Sequence, residues 1–150
     1  MFSYSLALQT DWRPDDVDAQ LQKVLVARRA DRAGDDGTAL TGRALPVTSA
    51  SIQATLDDAL GGHVDVEVRL ELDPKSDGYE QARRDLAIAA AVVATSTART
   101  ACLAFEYERV LMRLDGGRLM LHDWYPEWHD PAVIAALPVP FDRSSDAGEI

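Results

Sequence analysis

Cysteine occurs once in the 150 residues, at Cys102, so no internal disulfide can form and packing alone must hold the core. That residue sits in the apolar run ACLAF, a setting for a small interior side chain rather than an exposed thiolate. Long apolar runs are also missing. No segment approaches the ~18 continuous apolar residues of a membrane helix, and the opening MFSYSLALQTDW has no basic leading region. The expectation is a cytoplasmic protein with no membrane partner. Positive charge is in deficit, with 15 Lys and Arg against 25 Asp and Glu, for a net charge of −10 and a pI near 4.6. Such a surface repels phosphate backbones, which disfavours nucleic acid, and attracts a basic partner.

The chemical signatures of common enzymes are absent as well. There is no G-x-G-x-x-G, G-x-x-x-x-G-K-[ST], H-E-x-x-H or G-x-S-x-G. GDDG at 34–37 is too acidic to cradle phosphate and too short for a calcium loop, and reads as a solvated turn. No cofactor is implied.

What is present is periodicity. Phe2, Tyr4, Leu6 and Leu8 alternate with Ser3, Ser5 and Gln9, as in a half-buried strand. Pro14, Asp15 and Asp16 open an amphipathic helix with Val17, Leu21, Val24, Leu25 and Arg28 on one stripe. Residues 31–50 read as loop, with a short strand near Thr38–Leu45. A short helix follows, capped by Ser49 or Ser51 and stopped by Gly61. HVDVEVRLEL at 63–72 is the clearest strand, with Val64, Val66, Val68, Leu70 and Leu72 inward and Asp65, Glu67, Arg69 and Glu71 wet. A second long helix begins at Ser76 or Asp77 as N-cap, with Tyr79, Ala82, Leu86, Ala90 and Val93 on one face.

From residue 101 the pattern is a meander. Ala101, Leu103, Phe105, then Val110, Met112 and Leu114 point inward. Asp115-Gly116 supplies a type I′ turn, which would set Met112 opposite Leu119, Val110 opposite Leu121, Arg113 opposite Arg118 and Arg109 opposite His122. A short helix capped by Asp130 ends the pattern, and residues 143–150 are expected to fray. The sum is one domain over 1–150. Its fold class is α+β: a two-layer sandwich, with a mainly antiparallel sheet of five or six strands and two long helices on one face.

Two regions invite a functional reading. In HDWYPEWHD, residues 122–130, His122, Asp123, Glu127, His129 and Asp130 are metal-ligand or acid–base residue types, while Pro126 keeps the crossover extended. The segment reads as a crossover whose Trp124 and Trp128 cover the core end, or as an aromatic and acidic lip formed by Trp124, Tyr125, Glu127 and Trp128. On the outward sheet face, Leu111 and Met120 would lie opposite each other as the apolar centre of a docking surface rimmed by Glu67 and Glu71. An open sheet edge would also allow a homodimer beside the monomer.

YSLAL near the start, VEVRLELDPKSDGYEQA in the middle and VLMRLDGGRLMLHDWYPEW near the end, in this order of elements, resemble SitI-type immunity proteins. The resemblance implies a non-enzymatic cytoplasmic protein that neutralises one cognate antibacterial toxin, and acidity would suit a basic one. It supplies no residue roles. Two other readings are an adaptor or secretion chaperone with the same kind of surface, and a small hydrolase with its site near 122–130.

Overall fold

The computed structural model describes residues 1–30 and 39–150; the GDDG turn lies outside them. The elements are β1 (Phe2–Gln9), α1 (Pro14–Arg29), β2 (Leu40–Pro46), α2 (Ala50–Leu60), β3 (Val66–Leu72), α3 (Tyr79–Thr97), β4 (Thr100–Phe105), β5 (Arg109–Asp115), β6 (Arg118–His122), a 3₁₀ turn (Pro126–His129), α4 (Pro131–Ala135) and β7 (Phe141–Ser144). One sheet runs β2-β3-β1-β4-β5-β6-β7, antiparallel throughout except for the β6–β7 pair. This is the expected α+β sandwich, with seven strands rather than five or six.

The alternation of β1 and β3 places Leu6, Leu8, Val66, Val68, Leu70 and Leu72 in one core with Val17, Leu21 and Leu25 of α1. Leu86, Ala90 and Val93 of α3 complete it, and the alanines of α3 let its backbone lie close to the strands. Each fully buried leucine contributes roughly 1.5–3 kcal/mol. Helix α3 starts differently from the expectation: its N-cap is Gly78 at φ 83°, without a side-chain cap, so neither Ser76 nor Asp77 performs that role. The opposite face is not simply open. Helix α2, capped by Ser49 and closed by Gly61 in the left-handed conformation, packs Leu56, Ala59 and Leu60 on Ala7, Cys102 and Val110. Arg113 donates to the Ala59 carbonyl at its C-terminal end.

The meander departs from its expected register. Gly116 and Gly117, both at positive φ, form the turn, so Leu114 faces Leu119, Met112 faces Leu121 and Asp115 faces Arg118. Arg113 pairs with Met120, and the proposed Arg113–Arg118 clash does not arise. Arg109 pairs with Phe105, and no pairing to His122 forms. Asp-Gly and Gly-Gly both satisfy the turn, and a two-residue shift keeps Met112, Leu114, Leu119 and Leu121 inward.

Between β4 and β5, Leu103 faces Met112 while Ala104 faces Val110, which leaves Leu111 as the extra residue of a β-bulge. The bulge switches the phase of the strand. Met112 and Leu114 face the main core, Val110 faces α2, and Leu111 is fully buried instead of lying on the solvent side beside Met120.

The two sheet edges are blunted. On β2, the Ala44 N–H donates to Asp18 and the Gly42 carbonyl accepts from Gln22, so side chains of α1 occupy the free edge. The other edge, β7, has four residues and carries Asp142 and Arg143. Residues 143–150, expected to fray, hold backbone partners at both ends. After pairing with β6 they turn back to β5, where Val110 N donates to the Gly148 carbonyl (2.7 Å) and Ile150 N to that of Glu108 (3.1 Å).

Candidate functional site: an aromatic cleft at one end of the sheet

The segment 122–130 is a compact brace rather than an extended crossover. Pro126 occupies the first turn of the 3₁₀ helix, where its missing N–H costs nothing, and Asp130 caps α4 through Ala132 N (2.9 Å). Trp128 is fully buried and donates its indole N–H to the Leu111 carbonyl (2.8 Å); Trp124 donates to that of Val110 (2.7 Å). Both tryptophans therefore satisfy carbonyls at the bulge, where the ladder is interrupted.

The five suspected catalytic or metal-binding side chains do not converge, and Asp130 pairs with Arg84 (2.6 Å). His122 Nδ1 lies 3.3 Å from the Asp146 carbonyl and His129 Nε2 lies 2.8 Å from that of Asp123. Asp123 pairs with Arg143 (3.0 Å), and Glu127 turns to Arg83 in a close ion pair. Of these five residues only Glu127 lines the cleft described next, and the others turn to separate partners. Among the described residues, no group of three His, Cys, Asp or Glu is placed to hold a metal ion.

A cleft of about 330 Å³ opens where β1 begins, β4 ends and α3 starts. Its walls are aromatic: Phe2, Tyr4, Tyr79, Phe105, Trp124 and Tyr125, with Arg83 and Glu127 among them. Ring centroids lie 5.1 Å apart for Tyr4 and Phe105, 6.5 Å for Tyr4 and Tyr125, and 5.4 Å for Tyr125 and Trp128, in tilted or edge arrangements. Burial, then the neighbouring Tyr79 and Glu127, push the Tyr4 phenol up to about 12. Burial and Glu127 likewise hold Tyr125 well above the ordinary phenol value. Both remain neutral, able to donate or accept. The Tyr125 hydroxyl is buried beside the Glu127 carboxylate, which acts on it. Glu127, only 7% exposed, uses one of its several acceptor positions on Arg83.

A second polar cluster lies on the α2 side of the sheet. Glu67, expected on a wet face, is fully buried, and accepts from Ser5 (2.8 Å), Tyr107 (2.6 Å) and Arg69 (3.0 Å). Tyr107 reaches it from a hairpin turn in which Glu106 and Tyr107 both hold positive φ, 51° and 58°. Glu106 steadies the turn by accepting from Ser3 N (2.9 Å).

The eight sequence-derived interface residues thus separate. Leu111, Trp128 and Glu67 are interior. Trp124, Tyr125 and Glu127 meet in the cleft. Glu71 is exposed and Met120 half-buried, both on the sheet's other face. Sequence reading missed Tyr4, Tyr79, Arg83 and Phe105 as cleft residues. The available signal was that Phe2, Tyr4 and Phe105 are aromatics at the facing ends of two inward-patterned strands.

No curated protein and no solved structure matches the chain. A family model described as SitI3-like matches residues 2–132, which takes in every element from β1 into α4, including the whole cleft. The chain belongs to the SitI3-like family.

Proposed function

We propose that this chain is a non-enzymatic immunity protein that binds a cognate antibacterial toxin in the cytoplasm and neutralises it by forming a stoichiometric complex. The family supports the general role. The observation that carries the reading on this chain is the aromatic cleft, a concave, partly solvated set of rings on a protein of net charge −10. Aromatic anchors dominate protein interfaces, and opposite net charge speeds encounter with a basic partner. The docking surface on this reading includes Trp124, Tyr125 and Glu127, with the toxin covering the cleft.

The test is co-expression with the product of the neighbouring gene. Growth should be restored, and the two chains should co-elute as a defined complex at one-to-one stoichiometry. Unrelieved toxicity with no complex would refute the proposal. A complex with a secreted partner that is not toxic would favour the adaptor or chaperone reading instead.

A further inference from the structure

We infer that the aromatic cleft receives the guanidinium side chain of an arginine presented by the partner; this deepens the toxin-binding reading and rests on it for the source of the arginine. Four observations converge. The first is size: about 330 Å³ is at the small end of ligand sites, suited to one side chain rather than a cofactor.

The second is the wall. Aromatic faces attract cations, and this end of the molecule already holds two guanidiniums in that way. Arg83 lies 5.7 Å from the centroid of Tyr79 and Arg109 lies 3.8 Å from that of Trp124. Arg109 is tied to the Ala147 carbonyl by two hydrogen bonds, at 2.9 and 3.0 Å, so it is fixed in place and is not the guest. Phe2, Tyr4 and Phe105 line the cleft, and no cation among the described residues stacks on them.

The third is unspent acceptor capacity. The Glu127 carboxylate is paired with Arg83 but keeps further acceptor positions at the cleft, and the buried Tyr125 hydroxyl, with its own acceptor lone pairs, lies beside it. A guanidinium offers five N–H donors in a rigid fork and no acceptor, so it can serve both at once. The fourth is charge. Glu80, 3.6 Å from Arg83, and Glu106, whose charge reaches Tyr4, lie near the cleft that Glu127 and Arg83 line. The raised phenols of Tyr4 and Tyr125 are consistent with a site that resists further negative charge.

The experiment needs no toxin. The full chain is titrated with acetyl-Gly-Arg-Gly-amide, with the citrulline analogue as the uncharged isostere and the leucine analogue as an apolar control, at fixed ionic strength. Binding is followed by the NMR shifts of the Trp124 indole and the Phe105 amide. The arginine probe should produce saturable shifts in the millimolar range, with citrulline and leucine at least tenfold weaker. Glu127→Gln should weaken the arginine probe about tenfold. Tyr79→Leu, at a half-buried ring, should weaken it severalfold, and it keeps the test informative if Glu127→Gln does not fold. Equal shifts from leucine or citrulline would overturn the inference in favour of an apolar pocket, and so would no shift from any probe. If the arginine probe binds while co-expression gives no protection, the cleft chemistry stands and the toxin reading falls.

Discussion

Replacing Trp128 by phenylalanine separates a structural role from an interface role for the segment 122–130. Trp128 is wholly inside, and its indole N–H donates to the Leu111 carbonyl at the bulge. Phenylalanine keeps most of the apolar volume but removes the donor. The stranded buried carbonyl costs about 1–3 kcal/mol. The smaller ring adds about 1 kcal/mol of lost packing, well below the ~3–5 kcal/mol of a full truncation to alanine. The sum is a loss of about 2–4 kcal/mol, or roughly 4–16 °C in Tm for a chain of this size. Urea unfolding followed by far-ultraviolet circular dichroism measures it, with Trp124→Phe as the comparison. Trp124 is only part-buried, so its carbonyl at Val110 can recover a water, and the loss there should be smaller, about 1 kcal/mol. A Trp128→Phe protein within 0.5 kcal/mol of the parent would refute the argument that the indole satisfies the bulge.

Gly148→Ala should release the C-terminal tail, because Gly148 sits at φ 71° and an added Cβ would lie 2.3 Å from the Val110 carbonyl oxygen. Hydrogen exchange should then accelerate at the amides of Val110 and Ile150, with a stability loss of about 1–2 kcal/mol. Cys102 is 1% exposed and burial pushes its thiol up to about 11, so a disulfide reagent at pH 8 should label it only in urea; fast labelling of the folded protein would contradict the packing. Asp57, Asp73 and Asp130 are held below the carboxylate value of 3.8, chiefly by the Val64 N–H, the Lys75 N–H and Arg84 respectively. Their folded values lie below their unfolded ones, so their contribution is complete above about pH 4 and is lost as pH falls further. A pH series of melting curves should decline there, and Asp57→Asn with Asp130→Asn should flatten the decline.

The fold was legible wherever one periodicity acted alone. The alternation of β1 and β3 and the stripe of α1 each follow from a single buried face, and Ser49 and Gly61 bounded α2 by local chemistry. Reading failed where a feature depends on something distant. The bulge at Leu111 is fixed by what β4 and the two indoles offer, and nothing in VLMRLD marks it. Glu67 looks like any outward acid of an alternating strand until Ser5 and Tyr107 are seen to close on it. The tail carries polar, loop-like residues because it forms an edge strand and a return segment, which need backbone partners more than apolar side chains. The cleft was half legible: the aromatic cluster of 122–130 pointed to it, but its other walls come from β1, β4 and α3.

The side chains of Asp18 and Gln22 that occupy the rim of β2 have a consequence for the life of the free protein. On the proposed role, a neutralising protein works in excess over its toxin, so many copies would be without a partner. A sheet with a bare rim would recruit its own kind under such crowding. Here one rim is already filled by a neighbouring helix and the other is short and charged, which disfavours edge-to-edge pairing between copies.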